Sequence, residues 1–250
     1  MTSNSDLYLD PALVRFYDPE NGWADDTRLC ARMAAQASSV LDLGCGTGLL
    51  LSSLPGTIRL TGVDPAAAML QVARSRPGGS HVNWVEADAR LVRLGETFDL
   101  VVLTGHAFQV FLTDHDQRSV LRTIAAHLGP RGCFIFDSRN PVAREWEEWT
   151  PDQSRRIIND PQLGKVEAWN DVRYDEAAGI ATYGTFYRSV SGEEWSAEAS
   201  IRFSSQQHIA ALADDAGLVV DQWLGDWTGQ PFQPASPEII AIGRLRGWDG

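Results

Sequence analysis

Through its first 141 residues the chain alternates short apolar runs with segments of helical periodicity. Residues 40–43, 58–63, 82–86, 98–103 and 133–136 each read as a strand, being brief apolar stretches bounded by turn residues. Between them, Leu49, Leu50 and Leu51 open a helix-compatible segment, and Met69, Leu70 and Val72 mark a second. A third starts at Thr113-x-x-Asp116, which resembles a capping box, and runs to about Leu128, where Gly129-Pro130 stops it. Ahead of the first strand, Leu13, Val14, Phe16 and Tyr17 cluster before a turn at Asp18-Pro19-Glu20-Asn21-Gly22. Residues 26–37 then have helical spacing, with Leu29, Met33 and Ala37 on one face. The rhythm changes over 142–203. Residues 166–174, 180–190 and 195–203 alternate polar and apolar positions, joined by hairpin turns at Asp175-Glu176-Ala177-Ala178-Gly179 and Ser191-Gly192. A helix over 206–216, with Ile209, Leu212 and Ala213 inward and Gly217 ending it, leads to two last strands at 218–224 and 239–245. Strand–helix alternation with one antiparallel insertion predicts a single α/β domain.

The first strand runs into Gly44-Cys45-Gly46-Thr47-Gly48. A strand, a glycine-rich turn and a helix start form a ligand-binding device, because glycine lets backbone bend sharply and lets a ligand approach it. A dinucleotide fingerprint reads G-x-G-x-x-G, whereas here the third glycine comes one position early and Leu49 stands in its place. Asp42 precedes the first glycine by two positions, where a carboxylate suits an ammonium group better than a pyrophosphate. The second strand ends at Asp64, about 20 residues beyond the loop, the place of a ribose-binding acid. Asp64-Pro65 also makes a good helix start. Asp88 follows the third strand at the sheet edge where open α/β folds bind ligands.

The block Asp42-Leu43-Gly44-Cys45-Gly46-Thr47-Gly48 resembles motif I, D-x-G-x-G-x-G, of the class I S-adenosylmethionine-dependent methyltransferases. The resemblance implies a Rossmann-like seven-stranded sheet of order 3-2-1-4-5-7-6, strand 7 antiparallel, with helices on both faces and an inserted antiparallel β subdomain. It divides the chain into a lid over 1–37, a cofactor-binding domain over 38–141 and 204–250, and a substrate roof over 142–203. It implies S-adenosyl-L-methionine as cofactor, S-adenosyl-L-homocysteine as product, and a cofactor site made of Asp42, Gly44, Cys45, Gly46, Gly48, Asp64, Pro65, Asp88, Ala89, Thr104 and Tyr17. Asp42 would meet the methionine end, Asp64 the ribose and Asp88 the adenine, a turn or cap carboxylate being the other reading of Asp88. Tyr8 and Tyr17 are either lid contacts to the cofactor or partly buried aromatics.

Composition narrows the acceptor. The 250 residues carry a formal net charge of −12, and Lys165 is the single lysine. Nucleic-acid binding relies on basic residues that neutralise phosphates, so a nucleic-acid substrate is disfavoured and a small molecule expected. No apolar run reaches the length of a membrane span. Residues 1–6 are polar, are no signal peptide and are expected to fray. Cys30, Cys45 and Cys133 read as reduced thiols of a cytoplasmic protein. Oligomeric state, monomer or homodimer, stays open.

Methyl transfer is an in-line displacement from an activated donor, so alignment and water exclusion carry much of it, and a base is needed only for a protonated nucleophile. His106, in the loop after the fourth strand, is the candidate base; its other readings are pocket shaping and a satisfied polar side chain. Gln109, Arg139 and Asn140 are candidate substrate contacts, with capping of the strand end the other reading of Arg139 and Asn140, and the insertion's tryptophans with Trp223 and Trp227 are either pocket lining or core. Asp114-His115-Asp116 is a solvated helix start and no metal site is expected. A nitrogen or oxygen acceptor is expected. Rival readings are a non-catalytic cofactor-binding module, an NAD-dependent oxidoreductase, which the glycine spacing opposes, and a nucleic-acid methyltransferase, which the acidity opposes.

Overall fold

A computed structural model describes residues 6–247. The helices, in chain order with the strands, are α1 (Asp6–Leu9), α2 (Pro11–Val14), α3 (Tyr17–Glu20) and α4 (Asp25–Ala34), then β1 (Ser39–Leu43), α5 (Leu49–Ser53), β2 (Arg59–Asp64), α6 (Ala67–Ser75), β3 (Asn83–Glu86) and β4 (Phe98–Leu103). There follow α7 (Asp114–His127), β5 (Leu128–Arg139), β6 (Arg156–Asp160), β7 (Gly164–Asp175), β8 (Ile180–Ser189), β9 (Glu194–Arg202), α8 (Gln206–Asp215), β10 (Leu218–Leu224) and β11 (Glu238–Leu245).

The main sheet has the order β3-β2-β1-β4-β5-β11-β10, with β11 antiparallel to both its neighbours. With β10 and β11 as the sixth and seventh strands, this is the expected topology. Successive strand residues face opposite sides, and the core divides accordingly. Leu41, Leu43, Val101, Leu103, Phe134 and Phe136 pack beneath α7 and α8. Val40, Leu100, Val102 and Ile135 pack beneath α4 and α5. Strands buried on both faces cannot alternate in polarity, which is why they read as continuous apolar runs.

Strands β6 to β9 form a separate antiparallel sheet between β5 and α8. Its inner face packs on the N-terminal helices: Phe16 stacks on Tyr187 with centroids 4.1 Å apart, and Leu13 joins them.

Several expectations shift. Residues 18–20 are part of the one-turn helix α3 rather than a plain turn. The most buried residues of α4 are Cys30 and Ala34, flanked by Leu29 and Met33, because small side chains let the helix approach the sheet. Gly129-Pro130 does end α7, yet β5 begins at once, and residues 129–132 bulge between the pairs Phe98–Leu128 and Leu100–Cys133. Strand β6 has no counterpart in the sequence reading. Asp64-Pro65 does not start α6, which begins at Ala67 with Ala66 as its cap. Of residues 1–6, expected to fray, Asp6 begins α1 and residues 1–5 lie outside the described residues.

Candidate active site

The carboxyl ends of β1 to β5, the N-terminal helices and the β6–β9 sheet line a cavity of about 1140 Å³. It lies where strand order reverses around β1, the crevice in which open α/β sheets bind ligands. A volume at the upper limit of ordinary ligand pockets leaves space for a cofactor and an acceptor together.

Glycines build one wall. Gly44, Gly46 and Gly48 all have positive φ, at 73°, 52° and 72°, which only glycine adopts without strain. They do different work. A Cβ on Gly46 would meet nothing closer than the Tyr17 hydroxyl at 3.5 Å, so its open side faces the cavity. A Cβ on Gly48 would stand 2.4 Å from the Trp84 ring and 2.8 Å from the Ala73 Cβ. Gly48 therefore lets the loop close on β3 and α6 and does not line the cavity; the other ten residues of the expected cofactor site do. Trp84, which the sequence reading passed over, is the backing of this loop, with its indole N–H donating to Gly79 O at 2.8 Å.

Two acids face the loop. Asp64 accepts from Gly46 N at 2.9 Å through Oδ2 and from Ala66 N at 2.8 Å through Oδ1. It thus fixes the glycine loop against the start of α6, and burial raises its pKa despite those bonds. Asp42 is 6% exposed, and its carboxyl receives no hydrogen bond or cation among the described residues. Burial first, then the charge of Asp64, pushes it up to about 8. A carboxylate buried in a cavity wall without a partner is complementary to a cationic ligand group. Asp88 differs: Arg90 grips it through Nε and Nη2, Arg90 also reaches Asp116 at 2.9 Å, and the pair holds Asp88 below the usual carboxylate range.

The N-terminal segment is tied to both sides of the cavity. Asp18 accepts from Thr47 Oγ1 at 2.6 Å and pairs with Arg76, whose Nε donates to Thr47 O at 3.0 Å. Glu20 takes the Tyr187 hydroxyl at 2.6 Å and pairs with Arg156 of the roof. Arg15 clasps Asp160, holding that carboxyl down at about 2. Tyr17 and Tyr8 stand edge to face at 6.3 Å, and the Tyr8 hydroxyl lies 3.4 Å from that of Tyr183. Both tyrosines line the cavity.

His106 occupies the loop after β4 with φ 61°, a conformation uncommon for a residue with a side chain. Its backbone N–H is directed at both oxygens of Asp137, at 3.1 and 3.2 Å. Its Nε2 lies 3.0 and 3.1 Å from the two oxygens of Glu238 and 3.4 Å from Asp137 Oδ2. Asp137 is fully buried on β5, and burial pushes its carboxyl up to about 6. Donor atoms of these three residues all fall within 4.8 Å of one another, a grouping the sequence reading did not anticipate. Asp114 pairs instead with Arg202 and His208.

Among the expected substrate contacts, Arg139 lines the cavity, bonded to Glu145 and Gln109 and lying over the Trp149 ring at 5.3 Å. Gln109 and Asn140 stand behind the wall. Gln109 accepts from Arg139 and donates to Arg202 O, and Asn140 ties Pro234 O and Ser236 O. Of the tryptophans, Trp149 alone lines the cavity among the described residues; Trp223 and Trp227 pack into the two core layers.

The model of the methyltransferase domain family matches residues 40–132, which span the glycine loop and β1 to β4. The chain is 26% identical to the cypemycin N-terminal methyltransferase of a Streptomyces species over 205 residues, 82% of each protein. Its fold is that of the CcbJ methyltransferase from Streptomyces caelestis, with TM-score 0.81, 19% identity, and coverage of 98% of this chain and 100% of that one. It also matches CalS10, an amino pentose methyltransferase from Micromonospora echinaspora solved with S-adenosylmethionine bound, with TM-score 0.69, 21% identity, and coverage of 96% and 99%. With the glycine cradle, the buried Asp42 and the strand order, these matches make residues 40–132 a methyltransferase domain and give the chain the fold of class I S-adenosylmethionine-dependent methyltransferases.

Proposed function

We propose that the protein methylates an amine nitrogen of a small-molecule acceptor. S-Adenosylmethionine, when bound, supplies a methyl group on a sulfonium and leaves as S-adenosylhomocysteine. In this reading Asp42 receives the methionine ammonium, Asp64 the ribose hydroxyls, and the backbone of Gly44 and Gly46 lies against the ligand. Residues around Asp88 and Ala89 form the adenine end, with the Asp88 side chain already occupied by Arg90. The N-terminal segment, pinned to the glycine loop and to the roof, excludes water, which an alignment-driven displacement requires. His106 takes the acceptor's proton.

The observation that carries the choice of nitrogen is the charge balance of the cavity. Each arginine lining it is already paired: Arg90 with Asp88 and Asp116, Arg139 with Glu145, Arg156 with Glu20. None is left for an anionic acceptor. The acceptor end presents Tyr8, Tyr183 and Trp149, with His106 backed by two acids. Aromatic faces and acids suit an ammonium.

Two measurements test this. S-Adenosylhomocysteine at about 100-fold excess over its Kd should raise the melting temperature by roughly 5–10 °C, and NAD should not. Methyl-labelled cofactor should then pass label to amines of a mixed panel and not to matched alcohols or carboxylic acids. Label on oxygen would overturn the nitrogen assignment, and stabilisation without any transfer would favour a cofactor-binding module. For the ribose contact, Asp64→Ala should weaken S-adenosylhomocysteine binding by about 10–100-fold, the value of one or two charge-assisted hydrogen bonds. Unchanged affinity by calorimetry removes that role.

A further inference from the structure

We infer that Glu238, on the last strand of the sheet, is a positioning residue for the reaction: it holds the His106 imidazole with its proton on Nε2, leaving the Nδ1 lone pair to take the acceptor's proton. The inference rests on the amine reading above and adds to it a residue that lies in no motif of the family loop.

The geometry is one-sided. Nε2 lies within hydrogen-bond distance of both Glu238 oxygens, and Asp137 Oδ2 is 3.4 Å away. Carboxylate oxygens only accept, so a neutral imidazole in this place must donate from Nε2. Nδ1 has no hydrogen-bond partner among the described residues, and His106 belongs to the cavity wall. Asp137 has a different task. It receives the His106 backbone N–H, which steadies the positive φ of this loop. Three elements thus fix one ring: the loop after β4 carries it, β5 anchors its backbone, and β11 orients its side chain. An ammonium acceptor must shed a proton before its lone pair can displace the sulfonium. That proton passes to Nδ1, the imidazolium so formed is stabilised by Glu238, and it later returns the proton to solvent.

The charged groups around the ring are Glu238 from β11, Asp137 from β5 and, acting through Asp137, Arg139 at the end of β5. Removing the carboxylate of Glu238 should therefore release the ring from a single tautomer. The test uses full-length protein labelled with 15N-histidine, followed by two-bond 1H–15N spectra from pH 5 to 9. His106→Gln identifies the resonances. Wild type should hold the neutral ring as the Nε2–H tautomer. Glu238→Gln, whose amide can donate as well as accept, should mix the two tautomers, and Glu238→Asp should restore part of the preference. Calorimetry with S-adenosylhomocysteine should give the Glu238→Gln protein an affinity within about twofold of wild type, which separates positioning from misfolding. With an amine from the panel, kcat should fall about tenfold or more with KM within about threefold. An Nδ1–H tautomer in wild type, or a tautomer balance unmoved in Glu238→Gln, overturns the inference. The spectra need no acceptor, so they decide the hydrogen-bond assignment even where no amine is methylated; that second result would count against the amine reading alone.

Discussion

Asp42→Asn is expected to make the ligand-free protein more stable at pH 8 and to weaken S-adenosylhomocysteine binding by about 100-fold or more. Both effects have one cause. Asp42 sits on a strand buried on both faces, next to the glycine loop, with no partner for its charge among the described residues. Its pKa is raised to about 8, against about 4 for a carboxyl in an unfolded chain. Between those values the folded state holds a proton that the unfolded state has lost. Stability then falls as pH rises from about 4 to 8 and levels off above, since the slope follows the difference in bound protons. Asparagine does not ionise, so its advantage should be small at pH 5, grow through this window and reach a few kcal/mol at pH 8. Binding moves the other way. A cofactor ammonium makes ionisation of Asp42 favourable, and removing one partner of a buried charge pair typically costs about 2–5 kcal/mol. Association near pH 7 should also release a proton in wild type and none in the variant, which calorimetry in two buffers of different ionisation enthalpy reads directly. A variant with wild-type affinity, or a melting-temperature gain equal at pH 5 and pH 8, would contradict this account of Asp42.

What the sequence makes legible follows from how local each feature is. Strands β1, β2 and β4 stand out because burial on both faces demands mostly apolar runs, and the glycine loop stands out because its backbone geometry demands residues without side chains. Strand β6 does not. It has five residues, it pairs only with β7, and its Ile157 is exposed, so no alternation marks it. Within the site, Asp42 and Asp64 are legible because their distance from the loop along the chain is itself the motif. Glu238 meets His106 across 132 positions, Arg156 meets Glu20 across 136, and Arg15 meets Asp160 across 145. No spacing encodes such pairs; only the folded topology brings them together. Gln109 and Asn140 follow the same logic in reverse. Their place at the strand rim is readable, but which way an amide turns depends on partners elsewhere, and both turn into the wall. Trp84 went unread because its role is to fill space that Gly48 and Gly62 leave open, a matter of packing between three segments.

That packing sets the second large effect. Gly48→Ala should cost roughly 2–5 kcal/mol of stability and lower the melting temperature by about 5–15 °C. Two costs combine. A side chain in the left-handed region adds roughly 1–2 kcal/mol, and Gly48 has φ 72° and ψ 24°. The new methyl must also displace the Trp84 ring at 2.4 Å and the Ala73 Cβ at 2.8 Å, and the latter can move only with α6. Overpacking of this kind typically costs about 1–3 kcal/mol. Gly46→Ala is the contrasting case. Its φ of 52° brings the same backbone cost, but its Cβ meets only Tyr17, at 3.5 Å and beyond. That variant should lose about 1–2 kcal/mol of stability while losing a larger share of its affinity, because the methyl enters the space meant for the ligand. Urea denaturation and S-adenosylhomocysteine calorimetry on both variants separate the two glycines. Trp84→Leu added to Gly48→Ala should recover part of the loss, since residues in direct contact are not additive. If Gly48→Ala proved as stable as wild type, or if the second substitution only added its own cost, the ring of Trp84 would not be what the third glycine makes room for.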